Sequence, residues 1–116
     1  KDMTPGCTTE ACSFRDAYPD FSMIDAKIIG VSKDSIERHN KFKDKYELPF
    51  ILASDEKGEV CNAYGVWQEK KNYGKTYMGI VRSTFLINER NKIAAVWRNF
   101  RVKGHVQKVL EEAKKL

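Results

Sequence analysis

The sequence predicts an α/β fold in which a central mixed sheet is flanked by helices. Three observations support this fold class. Segments with helical periodicity alternate with short β-branched runs, which favours parallel strands joined by helices. Two further runs, residues 83–88 and 92–98, flank a short polar turn, which indicates an antiparallel hairpin. The chain then closes with a segment whose apolar residues recur at helical spacing.

The first predicted elements are a helix and a strand. The helix runs from Cys7 to about Ala17, and Pro19 is expected to stop or kink it because proline donates no backbone hydrogen bond. Residues 26–31 then form a short apolar run that ends in Gly-Val, which is typical of a buried strand.

A second helix and strand follow. In residues 32–46, Asp34 stands three positions before Glu37, which is the spacing of a capping box at a helix start. Pro49 must end this helix, and residues 50–54 form a second apolar run. This unit therefore predicts another helix that leads into a buried strand.

The second half of the chain contains a turn, a short helix, a polar stretch, the hairpin and a final helix. The short helix is expected to end near Gly65, and the polar, glycine-punctuated residues 68–79 are expected to form an exposed excursion. The final helix buries an apolar stripe, which consists of Val106, Val109, Leu110, Ala113 and Leu116.

Composition limits the possible function classes. Apolar residues make up 41% of the chain and charged residues 32%, which fits one globular domain and argues against both disorder and a membrane span. The net charge of +5 is spread along the chain and interleaved with acids, which argues against nucleic-acid binding. Three cysteines fit redox chemistry in a reducing compartment better than a secreted disulfide scaffold. We expect a cytoplasmic protein, or one of an organellar stroma if a transit peptide precedes Lys1.

The position of Cys7 also bears on the domain boundaries. A helix that opens with a reactive cysteine normally follows a central strand in such a sheet, and only six residues precede Cys7. We therefore expect residues 1–116 to be a single domain whose N-terminal strands are missing from this chain.

The segment Thr4–Cys7 favours a reactive thiol. Pro5 and Gly6 place Cys7 in the first turn of the helix, where unpaired backbone N–H groups and the helix dipole favour a thiolate. Thr4 can add a hydroxyl donor from the preceding loop. The alternative is that Cys7 is only a small apolar residue packed at a helix start.

The spacing of Cys12 favours a redox interpretation. Five residues along a helix correspond to a rise of about 7.5 Å and a rotation of about 140°. A disulfide needs Cα atoms within about 7 Å and side chains directed at each other, so Cys7 and Cys12 can bond only if the first turns unwind. The hypothesis is that an oxidant converts Cys7 to a sulfenic acid, which Cys12 then resolves after local unfolding.

A zinc site is the competing use of paired thiols. Zinc prefers tight ligand pairs such as C-x2-C, whereas these thiols are farther apart and the remaining candidates are scattered singly: Cys61, His39 and His105. Each histidine is better explained as a structural residue. Cys61 is best explained as a buried, unreactive cysteine.

The segment "TPGCTTEACSFRD" (4–16) resembles the active-site segment of peroxiredoxins, specifically the bacterioferritin comigratory protein or peroxiredoxin Q subfamily. The resemblance continues through "IIGVS" (28–32), "YELPFILASD" (46–55), "AYGVW" (63–67) and "RSTFLIN" (82–88). It implies a thioredoxin-like fold and a thiol-dependent peroxidase that reduces hydrogen peroxide and alkyl hydroperoxides.

The resemblance also implies residue roles. Cys7 is the peroxidatic cysteine, Thr4 binds the peroxide, Arg82 supports the thiolate and the developing oxyanion, and Cys12 is the resolving cysteine. Supporting groups are expected at Glu10 and Arg15.

The resemblance further implies the partners of the chain. It requires no metal or organic cofactor, and the reductant of the disulfide is thioredoxin or a glutaredoxin-like protein. We expect no nucleic-acid or membrane partner. We expect a monomer, with a dimer as the alternative.

Two other functions fit part of the pattern. A thioredoxin-fold disulfide oxidoreductase would normally carry C-x-x-C and would not need Arg82. A redox-sensing interaction protein would keep Cys7 without turning over peroxide. Phe14 and Tyr18 lie on the helix that must unwind, so their packing is expected to set how easily it opens.

Overall fold

The computed structural model describes residues 3–98 and 100–116. Helices and strands alternate as the sequence predicts, with one additional hairpin. In chain order the elements are α1 (Pro5–Met23), β1 (Ile29–Ser32), α2 (Ile36–Tyr46), β2 (Ile51–Ser54), α3 (Glu59–Ala63), β3 (Trp67–Asn72), β4 (Lys75–Ile80), β5 (Ser83–Ile87), β6 (Ile93–Arg98) and α4 (His105–Lys114).

The strands pair as three two-stranded sheets within the described residues. β1 and β2 are parallel and are joined by α2, whereas β3–β4 and β5–β6 are antiparallel hairpins. The predicted parallel pair and the predicted closing hairpin are therefore confirmed. The prediction that both strands of the parallel pair are buried is wrong, because this pair is only two strands wide in the described residues and leaves Ile29, Val31 and Ile51 exposed. The preceding strands that we expect from the sequence stay a prediction.

Two buried clusters hold these elements together. The first joins α1 to α4 and consists of Ala17, Phe21, Val106, Val109, Leu110 and Ala113. The second lies beneath α2 and consists of Phe42, Leu48 and Phe50. Phe14 of α1 and Ile28, just before β1, each pack against both clusters and so connect them.

Two boundary predictions are wrong. Helix α1 continues through Pro19 to Met23, because Ala17 and Phe21 on either side of the proline are buried against the core. That burial offsets the hydrogen bond that proline cannot make. The cap of α2 is Ser35, whose side chain accepts a hydrogen bond from the Arg38 N–H, and Asp34 is not the cap.

Residues 68–79 are mostly exposed, as expected, and they form most of the β3–β4 hairpin, which the sequence did not predict. In the final helix, four members of the predicted stripe are buried, but Leu116 is 61% exposed because α4 ends at Lys114. Within the described ranges, no helix is long and apolar enough to cross a membrane.

Candidate active site

The site begins at the first turn of α1. Thr4 is the N-cap residue in an extended conformation, and Pro5 is the first helical residue, where its missing N–H costs nothing. The Thr8 N–H donates to the Thr4 carbonyl at 2.9 Å, which closes the first turn. Cys7, the third residue of the helix, is half-buried at this positive end of the helix dipole.

Arg82 reaches this turn from the other half of the chain. It lies in the short link between β4 and β5, and its Nη2 donates to the Cys7 Sγ at 3.7 Å. A guanidinium stays charged at any physiological pH, so it stabilises a thiolate permanently. The structure thus brings together Thr4, Cys7 and Arg82, as the sequence predicts.

Glu10 holds the guanidinium from its other side. Its Oε2 lies 3.2 Å from the Arg82 Nε in an ion pair, although the N–H does not point at the oxygen well enough for a hydrogen bond. Burial raises the pKa of Glu10, Arg82 opposes this effect, and the pKa stays above its ordinary value. The supporting role expected of Glu10 therefore has a direct contact behind it.

Gly6 is a site residue that the sequence analysis missed as such. A Cβ at this position would collide with the Nη2 of Arg82, so the guanidinium approaches Cys7 over a position that only glycine leaves open. In the sequence, Gly6 is conspicuous only as part of a Pro-Gly turn signal. The need for glycine arises from a contact with a residue far away in the chain.

These neighbours set the acidity of Cys7. Burial alone raises the pKa of its thiol, but hydrogen bonds from Thr4 and Arg82 to the sulfur lower it, and the pKa lies below its ordinary value. A lowered thiol pKa increases the thiolate fraction near neutral pH. The arrangement therefore suits a nucleophilic cysteine.

Cys12 lies one turn and a half farther along α1. Both cysteines are thiols, and the helix between them is unbroken, so their sulfurs do not bond in this conformation. This agrees with the expectation that a disulfide requires unwinding.

Comparison with known proteins supports the resemblance. The AhpC/TSA family model matches residues 1–96. The chain belongs to the AhpC/TSA family. The peroxiredoxin Bcp of Bacillus subtilis is 54% identical over 98% of this chain and 73% of its own length. A putative peroxiredoxin Bcp of Coxiella burnetii is 51% identical over 95% of this chain and 73% of its own length.

A solved structure agrees with these relatives. A Xanthomonas campestris bacterioferritin comigratory protein, studied for alkyl peroxide reduction, matches with a TM-score of 0.94 and 43% identity over 99% of this chain and 73% of that chain. The chain is thus a peroxiredoxin of the bacterioferritin comigratory protein type, with a thioredoxin-like fold and the chemistry of a peroxidase.

The remaining cysteine and the histidines of this peroxiredoxin are structural. Burial raises the pKa of Cys61 to about 11, with the Asp55 carboxylate adding to the effect. The Nε2 of buried His39 lies 3.1 Å from the Ala53 carbonyl oxygen, which accepts its hydrogen. Buried His105 bonds Thr84 at 2.8 Å. Among the described residues, no three potential ligands cluster as a metal site would require.

Proposed function

We propose that this chain reduces hydrogen peroxide and small alkyl hydroperoxides at Cys7 and is recycled through a Cys7–Cys12 disulfide. The observation that supports this most directly is the 3.7 Å contact of the Arg82 Nη2 with the Cys7 sulfur at the start of a helix. It joins a nucleophile to a fixed positive charge that can also stabilise a leaving oxyanion.

The first step is a displacement on the peroxide bond. The Cys7 thiolate attacks one oxygen, an S–O bond forms and the O–O bond breaks, and the second oxygen leaves as hydroxide or alkoxide and takes up a proton. Arg82 and the Thr4 hydroxyl lie beside the sulfur and stabilise the departing oxygen. Cys7 is left as a sulfenic acid.

The second step requires the start of α1 to unwind. The Cys12 sulfur attacks the sulfenic sulfur, an S–S bond forms, and the oxygen leaves as water. A dithiol protein, thioredoxin or a glutaredoxin-like protein, then reduces the disulfide by thiol–disulfide exchange. The disulfide protects Cys7 from further oxidation to sulfinic acid.

Peptide mapping tests this cycle. The reduced protein is treated with one equivalent of hydrogen peroxide, its remaining thiols are blocked with iodoacetamide, and the chain is cleaved after Glu10, which separates Cys7 from Cys12. We expect the two fragments to stay linked, with Cys61 alkylated. In Cys12→Ser, Cys7 should accumulate as sulfenic and sulfinic acid instead. If all three thiols remain alkylated in the unsubstituted protein, the proposal is wrong.

Steady-state turnover separates an enzyme from a sensor. Peroxide consumption is followed with thioredoxin, thioredoxin reductase and NADPH, with Cys61→Ser as the matched cysteine control. We expect sustained turnover that Cys7→Ser abolishes, with a loss of at least about three orders of magnitude, as is typical when a nucleophile is removed. A single burst without turnover would indicate the redox-sensing alternative.

A further inference from the structure

Helix α1 is built in two parts. The first, which we call the opening segment, comprises residues 5–13 and contains no buried residue. Two of its hydroxyls bond back along the helix: the Thr9 Oγ1 donates to the Pro5 carbonyl at 3.0 Å, and the Ser13 Oγ donates to the Thr9 carbonyl at 2.8 Å. Such back-bonds slightly destabilise a helix, so outside its contacts with Arg82 at Cys7 and Glu10 this segment is held less firmly than the buried part of α1.

The second part, the anchored segment, comprises residues 14–23. Phe14 packs against both core clusters, and Ala17 and Phe21 are buried in the first of them. Ala11 of the opening segment also packs against the second cluster, but the buried residues of α1 all follow Cys12. Both cysteines therefore precede the part of the helix that the core holds most firmly.

Arg15 fixes the start of the anchored segment to a neighbouring helix. Its Nη1 donates to the Tyr46 carbonyl at 2.8 Å. Tyr46 is the last residue of α2, where carbonyls lack helical partners and a positive charge is favourable. The Nε of Arg15 also bonds Asp16 at 3.0 Å. The Arg15 side chain thus links α1, which carries both Cys7 and Cys12, to the end of α2.

The position of Pro19 makes this link important. Proline has no N–H to donate to the carbonyl four residues earlier, which belongs to Arg15, so the helical ladder is interrupted there. Unwinding that starts at Pro5 would otherwise extend to this interruption. The link from Arg15 to Tyr46 lies just before the weak point.

We propose that Arg15 is a positioning residue for disulfide formation. Its link to Tyr46 ends the unwinding of α1 at Phe14 and keeps Cys12 within three residues of a fixed point, Arg15 itself. This inference rests on the proposed function. A short tether confines the Cys12 sulfur near the Cys7 sulfenic acid, because effective concentration falls roughly as the −3/2 power of tether length.

The expected effect follows from the tether. Without the link, Phe14 is held by packing alone, and the next residues held by the clusters are Ala17, Tyr18 and Phe21, which lie five, six and nine residues from Cys12. Disulfide formation in Arg15→Ala should therefore be about two- to fivefold slower. More Cys7 should escape to sulfinic acid.

The experiment follows both chemical steps in one mixing experiment. Rapid quenching with an alkylating reagent, followed by mass spectrometry, gives the rate of Cys7 oxidation and the rate of disulfide formation. Arg15→Ala should slow only the second rate. Arg15→Lys keeps a charged donor and should recover part of the loss. Asp16→Ala removes the other partner of Arg15 and should leave both rates unchanged.

Amide hydrogen exchange supplies a readout that a loss of stability alone would not give. In the oxidised unsubstituted protein, residues 8–13 should lose protection while residues 17–23 keep it. In oxidised Arg15→Ala, the loss should extend past Phe14. Equal or faster disulfide formation in Arg15→Ala with an unchanged exchange boundary would overturn the inference and leave the proposed function intact.

If the unsubstituted protein forms no disulfide, the proposed function fails, and exchange in the reduced protein still decides the structural part. If the amides before Phe14 exchange faster than those after it, and this difference disappears in Arg15→Ala, Arg15 is supported as the boundary of local opening. Exchange of the whole of α1 as one group would reject that boundary as well.

Discussion

Cys7 and Cys61 occupy the same position in two helices, yet their chemistry is opposite. Each is the third residue of its helix, α1 or α3, close to the unpaired N–H groups of the first turn. The pKa of Cys7 lies below its ordinary value, whereas that of Cys61 is raised to about 11. Position at a helix start therefore does not make a thiol reactive by itself.

The neighbours of each sulfur explain the difference. Both thiols are partly or fully buried, which raises the pKa in each case. Cys7 then receives hydrogen bonds from Thr4 and Arg82, which stabilise the thiolate. Cys61 faces the Asp55 carboxylate, which accepts the thiol hydrogen and repels a negative sulfur. The charge and donor capacity of distant residues decide which helix start carries a nucleophile.

Of all the variants, removal of Arg82 should reduce the difference in reactivity between Cys7 and Cys61 most strongly. In Arg82→Gln, the thiolate and the leaving oxygen lose their charged donor, so the rate of Cys7 oxidation should fall by about 10²–10³. The pKa of Cys7 should rise, because a group that lowers it is gone. The loss should therefore be larger at neutral than at alkaline pH, which a pH–rate profile with stopped-flow detection measures.

Arg90→Gln is the matched control, because Arg90 lies in the exposed turn between β5 and β6. It should leave both the rate and the pH profile unchanged. A profile that shifts equally in both variants would mean that net charge, rather than the contact with Cys7, sets the thiol acidity.

Gly6→Ala tests whether the approach of Arg82 requires an open position. The added methyl group would collide with the guanidinium, and a displacement of about 1 Å at a reacting site costs about 10²-fold in rate. Alanine is a better helix former than glycine, so the free energy of unfolding should not fall. Urea unfolding and peroxide kinetics on the same protein separate the two effects. Full activity in this variant would show that Arg82 does not act from its observed position.

Local pattern predicted much of the fold and part of the site. Helical periodicity located α4, because this helix buries one face, and the two runs on either side of a short polar turn located the β5–β6 hairpin. Residues 68–79 were missed as a hairpin because most of their side chains are exposed and leave no burial pattern to detect. Asp34 and Ser35 are both good caps, and only the folded structure decides between them: Asp34 is committed to Ser32 and Arg38 instead.

The contacts of the site likewise divide into those that local sequence predicts and those that it does not. Thr4 and Cys7 are only three positions apart, so the turn itself predicts their meeting. The contact of Arg82 with Cys7 joins residues 75 positions apart, and the roles of Gly6 and Asp55 depend on such tertiary contacts. No local pattern contains this information. The resemblance to a family provided Arg82, but it provided neither the space above Gly6 nor the carboxylate beside Cys61.

Asp55→Asn should produce the smallest effect, and this effect concerns Cys61, the unreactive cysteine of the pair. The Asp55 carboxylate accepts hydrogen bonds from the Val60 N–H at 3.2 Å and the Cys61 N–H at 2.8 Å. An asparagine offers one oxygen instead of two, so one of these bonds is lost and the free energy of unfolding, measured with urea, should fall. The N–H of Cys61 contributes most to lowering the pKa of Asp55. This stabilisation is therefore present at neutral pH and is lost as acid protonates the carboxylate.

The same variant should make Cys61 more reactive. The repelling carboxylate is gone, but burial, the larger cause of the raised pKa, remains. The rate of alkylation by iodoacetamide in alkaline buffer should rise by about tenfold at most, which corresponds to one pKa unit. Peroxide oxidation of Cys7 should be unchanged and is the internal control. An alkylation rate equal to that of the unsubstituted protein would mean that burial alone keeps Cys61 inert, and the charge argument would then hold only for Cys7.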